Sequence, residues 1–224
     1  MNSPALVFDV DGTLVDSVYQ HVLAWHEALQ AEGIELSVWR IHRRVGMSGG
    51  LFVDALARET GMEIDAERAE RLRVRHAEGV VARMEQIGPL PGAIPLLRRL
   101  TALEVPFALA TSGRMETAVH TTGLLGLAAD VPIVTRDDVA HAKPDPDLFL
   151  AAAERLGVAP DDCFVVGDSV WDLLAARRAG SLGVGVLSGG YGRDELERAG
   201  AYRVYQDPAD LLWHLDEVGV RAEE

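Results

Sequence analysis

The chain contains a single cysteine, Cys163, among its 224 residues. One cysteine allows no disulfide within the chain, which is typical of proteins kept in the reducing cytoplasm. The sequence also lacks any apolar run near the ~18 residues that a membrane-spanning helix needs. Its first ten residues, MNSPALVFDV, show neither the basic stretch nor the cleavage site of a signal peptide. We therefore expect a cytoplasmic protein that does not bind a membrane.

Positive charge is scarce in this chain. It has 21 lysines and arginines against 35 aspartates and glutamates, which gives a formal net charge of −14. A nucleic-acid-binding surface would be basic, so this balance predicts no nucleic-acid partner. It also provides no overall attraction for an anionic ligand, so a site for an anion must supply its own local positive charge.

The order of the predicted elements indicates an α/β fold with a helical insertion. A short strand at 5–10 is followed by helical patterning from 17 to about 86, and the Gly/Pro-rich stretch 87–92 ends this block. Strands then alternate with helices, which is typical of a parallel sheet wound by right-handed crossovers. The further strands are predicted at 107–111, 132–135, 163–168, 182–187 and 202–205. We predict a Rossmann-like core formed by residues 1–16 and 88–224, and an all-helical cap domain formed by residues 17–87.

Polar residues follow the first four predicted strands. Any one of them could be a turn former or a helix cap, but their recurrence at successive strand ends favours a site, because open α/β sheets bind ligands beyond the carboxyl ends of their strands. In chain order they are Asp9 and Asp11, then Thr111, Ser112 and Gly113, then Lys143, and finally Gly167, Asp168 and Ser169 with Asp172 one turn later.

These residue types favour phosphoryl transfer. Three carboxylates brought together need a cation, and an all-oxygen ligand set suits Mg²⁺, which usually keeps waters and a substrate phosphate. The hydroxyl of Thr111 and the ammonium of Lys143 suit phosphate oxygens. An aspartate can attack phosphorus to form an aspartyl phosphate, and a second carboxylate can protonate the leaving oxygen and later activate water. The expected partner is a small-molecule phosphate ester.

The order DVDGTLVDS, Thr111, Lys143-Pro144 and GDSVWD resembles the haloacid dehalogenase superfamily of phosphotransferases, and the helical insertion resembles that superfamily's small cap. The resemblance implies a nucleophile at Asp9 and a general acid/base at Asp11. It further implies that Thr111, Ser112 and Lys143 bind the phosphoryl group, that Mg²⁺ is held by Asp9, the carbonyl of Asp11 and Asp168, and that Asp172 is a supporting acid.

Several positions distinguish activities within the superfamily. Asp11 argues against dehalogenation, because dehalogenases lack this second aspartate, and Ser112 stands where many relatives have asparagine. The sequence resembles the group of phosphoglycolate phosphatase and β-phosphoglucomutase, whose mutase members have a histidine matching His21. They also carry an arginine where Gly49 stands and a glutamate where Gly167 stands. These two departures favour a phosphatase acting on a sugar phosphate or phosphoglycolate, with a phosphomutase as the alternative.

The cap offers candidates for contact with the substrate: His21, Arg44, Ser48 and Arg75, with Arg73 and His76 as further cationic residues. Two functions of a different class also fit some of these residues. Signalling receiver domains use acidic residues, a hydroxyl residue and a lysine around Mg²⁺, but they are short and have no cap. A catalytically silent binding protein would tend to lose the carboxylates. The patterns leave open whether the protein is a monomer or a dimer.

Overall fold

The computed structural model describes residues 4–221, and its centre is a six-stranded sheet. The strands of this sheet are β1 (Ala5–Phe8), β4 (Phe107–Ala110), β5 (Ile133–Val134), β6 (Cys163–Gly167), β7 (Leu182–Val186) and β8 (Ala201–Tyr205). All neighbouring strands are parallel, in the order β5-β4-β1-β6-β7-β8. The predicted α/β fold with its parallel sheet is therefore confirmed, and β1 lies at its middle, between β4 and β6.

Helices cover both faces of this sheet. They are α5 (Ala93–Ala102), α6 (Met115–Gly123), α7 (Asp147–Leu156), α8 (Val170–Ala179), α9 (Arg193–Ala199) and α10 (Pro208–Trp213). Leu6 and Phe8 of β1 pack into one apolar layer, and Val7 packs into the opposite layer with Leu148 and Phe149 of α7. Alternate residues of a strand point to opposite faces, so a central strand buried on both sides must be apolar throughout. Cys163 is buried in this second layer.

The insertion after β1 is helical, as predicted, and has an apolar core of its own. Its helices, here called the cap helices, are α1 (Val18–Ala31), α2 (Val38–His42), α3 (Gly49–Thr60) and α4 (Ala66–Val81). Trp25, Leu29, Phe52, Leu56 and Leu72 form the centre of a cluster separate from the layers against the sheet. Most of the buried apolar residues of the cap helices therefore pack within the cap, while Ala24 and Val80 join the layer against the sheet.

Two short strands join the cap helices to the sheet. β2 (Val15–Asp16) and β3 (Gly88–Pro89) pair antiparallel, so both chain crossings lie side by side. The predicted first strand was too long, because the chain turns sharply after Phe8: the amides of residues 13–15 all donate to the carbonyl of Val10, and Gly12 has a φ of 86°. The strand predicted at 132–135 is also shorter in the structure, where β5 spans only Ile133–Val134. Within residues 4–221, no helix combines the length and apolarity that a membrane crossing requires.

Candidate active site

The structure brings the predicted core residues together at the carboxyl edge of the sheet. Asp9 follows β1, Thr111 follows β4 and Asp168 follows β6, and all three are buried. Lys143 reaches them from the loop before α7. Its side chain is completely buried, and its ammonium donates to the carbonyl of Ala110 at 3.0 Å and to the Asp9 carboxylate. The four strand-end positions therefore form a single constellation.

Lys143 is held between two carboxylates. Its Nζ contacts Oδ1 of Asp9 and lies 2.8 Å from Oδ1 of Asp172. Burial opposes its charge, but Asp172 and Asp9 outweigh this effect and raise the pKa of Lys143 above its usual range. The lysine therefore engages Oδ1 of Asp9 and leaves Oδ2 of the same carboxylate to other partners.

Asp9 and Asp168 carry an electrostatic cost that a bound cation would relieve. Burial, together with the nearby Asp172 and Asp11 carboxylates, raises the pKa of Asp9 to about 7 despite the opposing effect of Lys143. Burial, followed by Asp172 and Asp9, raises the pKa of Asp168 well above its usual value. Both shifts show that negative charge is crowded here beyond what one lysine neutralises.

The donor set fits Mg²⁺. Asp9, Asp168 and Asp172 each place a carboxylate oxygen within 4.8 Å of the others. Asp172, however, is already engaged: its Oδ2 accepts from the amide and the hydroxyl of Ser169, and its Oδ1 contacts Lys143. Asp9 and Asp168 therefore have carboxylate oxygens that could bind a cation, whereas both oxygens of Asp172 are occupied by Ser169 and Lys143. Oxygen ligands of this kind are those that Mg²⁺ prefers.

Two glycines, Gly12 and Gly189, allow close packing around the Asp168 carboxylate. A methyl group at Gly12 would lie 2.6 Å from Oδ2 of Asp168, and one at Gly189 would overlap the carboxylate. Thr13 donates to Oδ1 of Asp168 at 3.1 Å from the other side. Two loops distant in sequence thus fix the orientation of one carboxylate, as a metal ligand requires.

Asp11 lies between the sheet and the cap helices. Its Oδ1 accepts from the Ser17 hydroxyl at 2.7 Å and lies 3.3 Å from Nε2 of His21, while its Oδ2 accepts from the Thr111 hydroxyl at 3.4 Å. Burial pushes its pKa upward, but His21 and the Ser17 hydroxyl outweigh burial and lower the pKa of Asp11 to about 2. The two aspartates of the first motif therefore have opposite electrostatic environments, although they are two residues apart.

Ser112 has a side-chain contact that differs from the predicted phosphate contact. Its hydroxyl donates to the carbonyl of Gly46, which belongs to the loop between α2 and α3, at 3.0 Å. The amide of the next residue, Gly113, donates to the Thr111 hydroxyl at 3.0 Å. Ser112 thus connects the loop after β4 to the cap.

The same cap loop is docked on the other side of the sheet edge. The carbonyl of Arg43 accepts from the indole of Trp171 at 3.2 Å and from the hydroxyl of Tyr191 at 3.0 Å. The Arg43 guanidinium pairs with Glu195 and lies 4.0 Å from the centre of the Tyr191 ring. His42 Nε2 lies 2.8 Å from the carbonyl oxygen of Gly189. The structure therefore describes the cap closed over the carboxyl edge of the sheet.

A cavity of about 550 Å³ lies between the cap and the sheet edge, and Asp9, Asp11 and Thr111 open into it. Among the predicted cap candidates, His21, Arg44 and Ser48 line this cavity. Ser48 also caps α3, accepting from the amide of Leu51 at 3.4 Å.

Arg75 does not line the cavity. Its guanidinium lies 3.6 Å from Glu32 on the outer side of the cap. Residues three apart on a helix share a face, whereas residues two apart lie on nearly opposite sides. Arg73 and His76 of α4 therefore face the cavity together, whereas the predicted candidate Arg75 does not.

One wall of the cavity was not found from the sequence. It comes from the core, at the start of α6 and in the turn after β5, and it includes Arg114, Glu116, Thr117, Arg136 and Asp137. These residues belong to no motif, and their helical or turn positions look like ordinary solvated surface. Only the position of the cap opposite them makes them part of an enclosed space.

Comparison with known proteins agrees with this geometry. The family model for haloacid dehalogenase-like hydrolases matches residues 4–180. Hexitol phosphatase A of Escherichia coli is 34% identical over 182 residues, covering 80% of this chain and 81% of that protein, and β-phosphoglucomutase of Bacillus subtilis is 30% identical, covering 94% and 92%. A crystal structure of a hydrolase from Pseudomonas syringae shares 56% identity with a TM-score of 0.94, covering 96% of this chain and 99% of that one. The chain belongs to the family of haloacid dehalogenase-like hydrolases.

Proposed function

We propose that the protein is a Mg²⁺-dependent phosphatase that hydrolyses a small phosphorylated metabolite, such as a sugar phosphate or phosphoglycolate, through an aspartyl phosphate. The proposal rests chiefly on the contrast between Asp9, which Lys143 holds among carboxylates, and Asp11, which Ser17 and His21 hold beside it at the cavity. This contrast allows one aspartate to be the nucleophile and the other to move protons. Because the chain belongs to a hydrolase family, its acidic, hydroxyl and lysine residues do not need to be explained by a signalling receiver or a catalytically silent binding protein.

In the proposed reaction, Oδ2 of Asp9 attacks phosphorus and the ester oxygen leaves with a proton from Asp11. Water then attacks the aspartyl phosphate, Asp11 takes its proton, and Asp9 is restored as inorganic phosphate leaves. The low pKa of Asp11 suits the second step, whereas a bound phosphate dianion beside it raises that pKa and favours the protonated form needed for the first.

Two further groups would stabilise the charge that develops on the phosphoryl oxygens. The Lys143 ammonium and the Thr111 hydroxyl lie beside Asp9 and Asp11 respectively, and both can donate to those oxygens. Mg²⁺ held by Asp9, the carbonyl of Asp11 and Asp168 would supply Lewis-acid charge neutralisation at the same oxygens.

The cavity wall favours a polar leaving group that carries no second phosphate. Three of its four arginines lie near a carboxylate: Arg44 pairs with Glu59, Arg73 with Glu70 at 2.6 Å, and Arg114 approaches Asp137 at 4.0 Å. The fourth, Arg136, donates to the carbonyl of Val139. A second phosphate would have to compete with these carboxylates, whereas sugar or polyol hydroxyls can both donate to the acids and accept from the arginines. A monophosphate of a hydroxylated metabolite therefore suits this wall better than a bisphosphate.

A phosphomutase remains the second candidate, and the contact of His21 with Asp11 favours it. Against it stands Gly49, where the mutase pattern carries an arginine. A methyl group at Gly49 would lie 3.6 Å from side-chain carbons of Arg73, so Arg73 occupies the adjacent space, but its guanidinium is paired with Glu70. A phosphomutase must bind a second phosphate group, whereas a phosphatase need not.

The decisive experiment measures phosphate release from a panel of hexitol phosphates, hexose phosphates and phosphoglycolate, with Mg²⁺ or with a chelator. We expect Mg²⁺-dependent release from at least one of these esters, and none from the Asp9→Asn variant. Conversion of β-glucose 1-phosphate to glucose 6-phosphate faster than phosphate release would establish the mutase instead. No turnover of any ester with Mg²⁺ would overturn both candidates.

The domain division and the location in the cell are also proposals. The pairing of β2 with β3 supports a core of 1–16 and 88–224 that carries a cap of 17–87, since both crossings lie at this ribbon. A cytoplasmic location fits the single, buried cysteine.

A further inference from the structure

We propose that His76 is a positioning residue that sets the tautomer of His21 and, through it, the orientation of the Asp11 carboxylate. This inference rests on the proposed function, because it concerns the group that moves protons in that reaction. His76 belongs to α4, His21 to α1 and Asp11 to the turn after β1, so three segments far apart in sequence meet at this point.

The three side chains form a continuous chain of polar contacts. Nε2 of His21 lies 3.3 Å from Oδ1 of Asp11, and Nδ1 of the same ring lies 3.1 Å from Nε2 of His76. Both ring nitrogens of His21 are therefore engaged, one by the sheet side of the cavity and one by the cap side. A ring held at both nitrogens has little freedom to rotate or flip.

His76 is itself held firmly. Its ring stacks on Trp25 with the centroids 4.2 Å apart and an angle of 16° between the planes, and Trp25 stacks in turn on Phe52, also at 4.2 Å. Trp25 and Phe52 belong to the apolar cluster of the cap. The plane of the His76 ring is therefore set by its stacking on the core of the cap.

The tautomer follows from the proton balance of this chain. Burial and the adjacent His21 lower the pKa of His76 well below its usual value, so His76 is neutral at neutral pH. Oδ1 of Asp11 accepts from the Ser17 hydroxyl, and the same acceptor oxygen faces Nε2 of His21, which therefore needs a proton for this contact. When His76 donates from Nε2 to Nδ1 of His21, the proton of the His21 ring lies on Nε2 and is donated to Asp11. With the ring proton on Nδ1 alone, the lone pair of Nε2 would lie against the carboxylate oxygen.

The orientation of Asp11 matters because its two oxygens have different tasks. Oδ1 accepts from Ser17 and His21, whereas Oδ2 accepts only the long 3.4 Å bond from Thr111 among the hydrogen bonds within residues 4–221. With Oδ1 occupied, Oδ2 is the oxygen that exchanges a proton with the leaving group and with water. His76 thus acts on the reaction through two intervening side chains and does not contact the reacting atoms.

The test uses the full chain and three variants. His76→Phe keeps a flat ring against Trp25 but removes the donor, and His76→Gln restores an N–H near the former Nε2. His120→Gln, which replaces an exposed histidine of α6, is the matched control. The His21 tautomer is measured by ¹⁵N NMR of the imidazole nitrogens. Turnover is measured with p-nitrophenyl phosphate, whose leaving group needs little protonation, and with the alkyl phosphate hydrolysed fastest among the hexitol phosphates, hexose phosphates and phosphoglycolate.

We expect the Nε2–H tautomer of His21 in the wild type, in His76→Gln and in His120→Gln, and a mixture of tautomers in His76→Phe. For the alkyl ester, kcat of His76→Phe should fall about tenfold to a hundredfold at nearly unchanged KM, which is part of the ~10²–10⁴-fold that acid–base catalysis contributes. The aryl ester should lose less than threefold, and His76→Gln should recover most of the lost rate.

Two results would overturn the inference. One is an unchanged His21 tautomer in His76→Phe, and the other is an equal loss for both esters that His76→Gln does not recover, which would mark a purely structural role. Failure of the proposed function is seen separately, as a wild-type protein that releases no phosphate from any ester. The NMR measurement still decides the role of His76 in that case, because it needs no turnover.

Discussion

Replacing Gly189 with alanine should disable the proposed metal site without removing any of its ligands. A methyl group on Gly189 would lie 2.6 Å from Cβ of Asp168 and closer still to the carboxylate. Ordinary contacts begin at 3.4 Å, so Cβ of Asp168 must move by about 0.8 Å and its carboxylate by more. Gly189 has no left-handed φ, so alanine brings no backbone strain of its own.

The loop of Gly189 cannot easily move instead. Its carbonyl oxygen lies 2.8 Å from Nε2 of His42, so a shift of this loop would loosen the docked cap. Either response disturbs the site. Since a misplacement of about 1 Å can cost ~10²-fold in rate, we expect kcat to fall by about 10²-fold or more at saturating Mg²⁺. The Mg²⁺ concentration needed for half-maximal activity should rise by about 10- to 100-fold, as when an orienting partner of a ligand is lost.

The assay is phosphate release during a Mg²⁺ titration, with circular dichroism to check that the variant is folded. Gly123→Ala is the matched control, because a methyl group there meets nothing within 4 Å and should leave both rate and Mg²⁺ dependence unchanged. A folded Gly189→Ala protein with wild-type rate and wild-type Mg²⁺ dependence would refute the assignment of Asp168 as a metal ligand.

The remaining predictions address the neighbouring groups. Asp9→Asn should abolish turnover while the melting temperature is kept or raised, and substantial activity in the pure variant would rule out Asp9 as the nucleophile. Lys143→Met should abolish turnover and, with Asp9 and Asp172 left without their buried cation, cost about 3–5 kcal/mol in urea unfolding; an unchanged unfolding midpoint would contradict this. The pKa of Asp9 in the folded protein is raised to about 7, whereas in the unfolded chain it lies near 4. In chelator, the folded protein therefore keeps a proton on Asp9 at pH values where the unfolded chain has lost it. The contribution of Asp9 to stability is thus present at low pH and is lost as the pH rises toward 7. The melting temperature of the wild type relative to Asp9→Asn should therefore fall between pH 5 and pH 8 in chelator and recover with Mg²⁺ at pH 8. If the difference in melting temperature between the two proteins does not depend on pH, the pKa of Asp9 is not raised. Ser112→Ala removes the hydrogen bond to Gly46 and should raise KM several-fold with little change in kcat; an unchanged KM would show that this contact does not help hold the cap closed.

Three residues of the core site could be predicted because each lies directly after a strand of a parallel sheet. Asp9, Thr111 and Asp168 follow three apolar runs, and the rule that parallel strands end at one edge brings them together without knowledge of distances. The helical nature of the insertion could also be predicted, since its hydrophobic periodicity is a local property. The strand order β5-β4-β1-β6-β7-β8 could not, because strand pairing depends on contacts between segments far apart in the chain.

Which residues of the cap face the cavity could not be predicted from the sequence. Arg73, Arg75 and His76 lie within four residues of one another, and the sequence offers no reason to prefer one of them. Which of them faces the cavity depends on the rotation of α4 about its own axis, and the packing of Leu72 and Ala69 against α1 and α3 sets that rotation. Ser112 is a similar case, because its partner Gly46 lies 66 residues away.

The fold class, the helical insertion and the acidic, hydroxyl and lysine residues of the core site follow from the amino-acid sequence, because local patterns encode strands, helices and the motifs that follow them. The closure of the cap, the contact of His76 with Asp11 through His21, and the arginines and carboxylates that enclose the cavity are seen only once the chain is folded. These contacts join side chains whose relative directions depend on the packing of two separate apolar cores, and no short stretch of sequence records that packing.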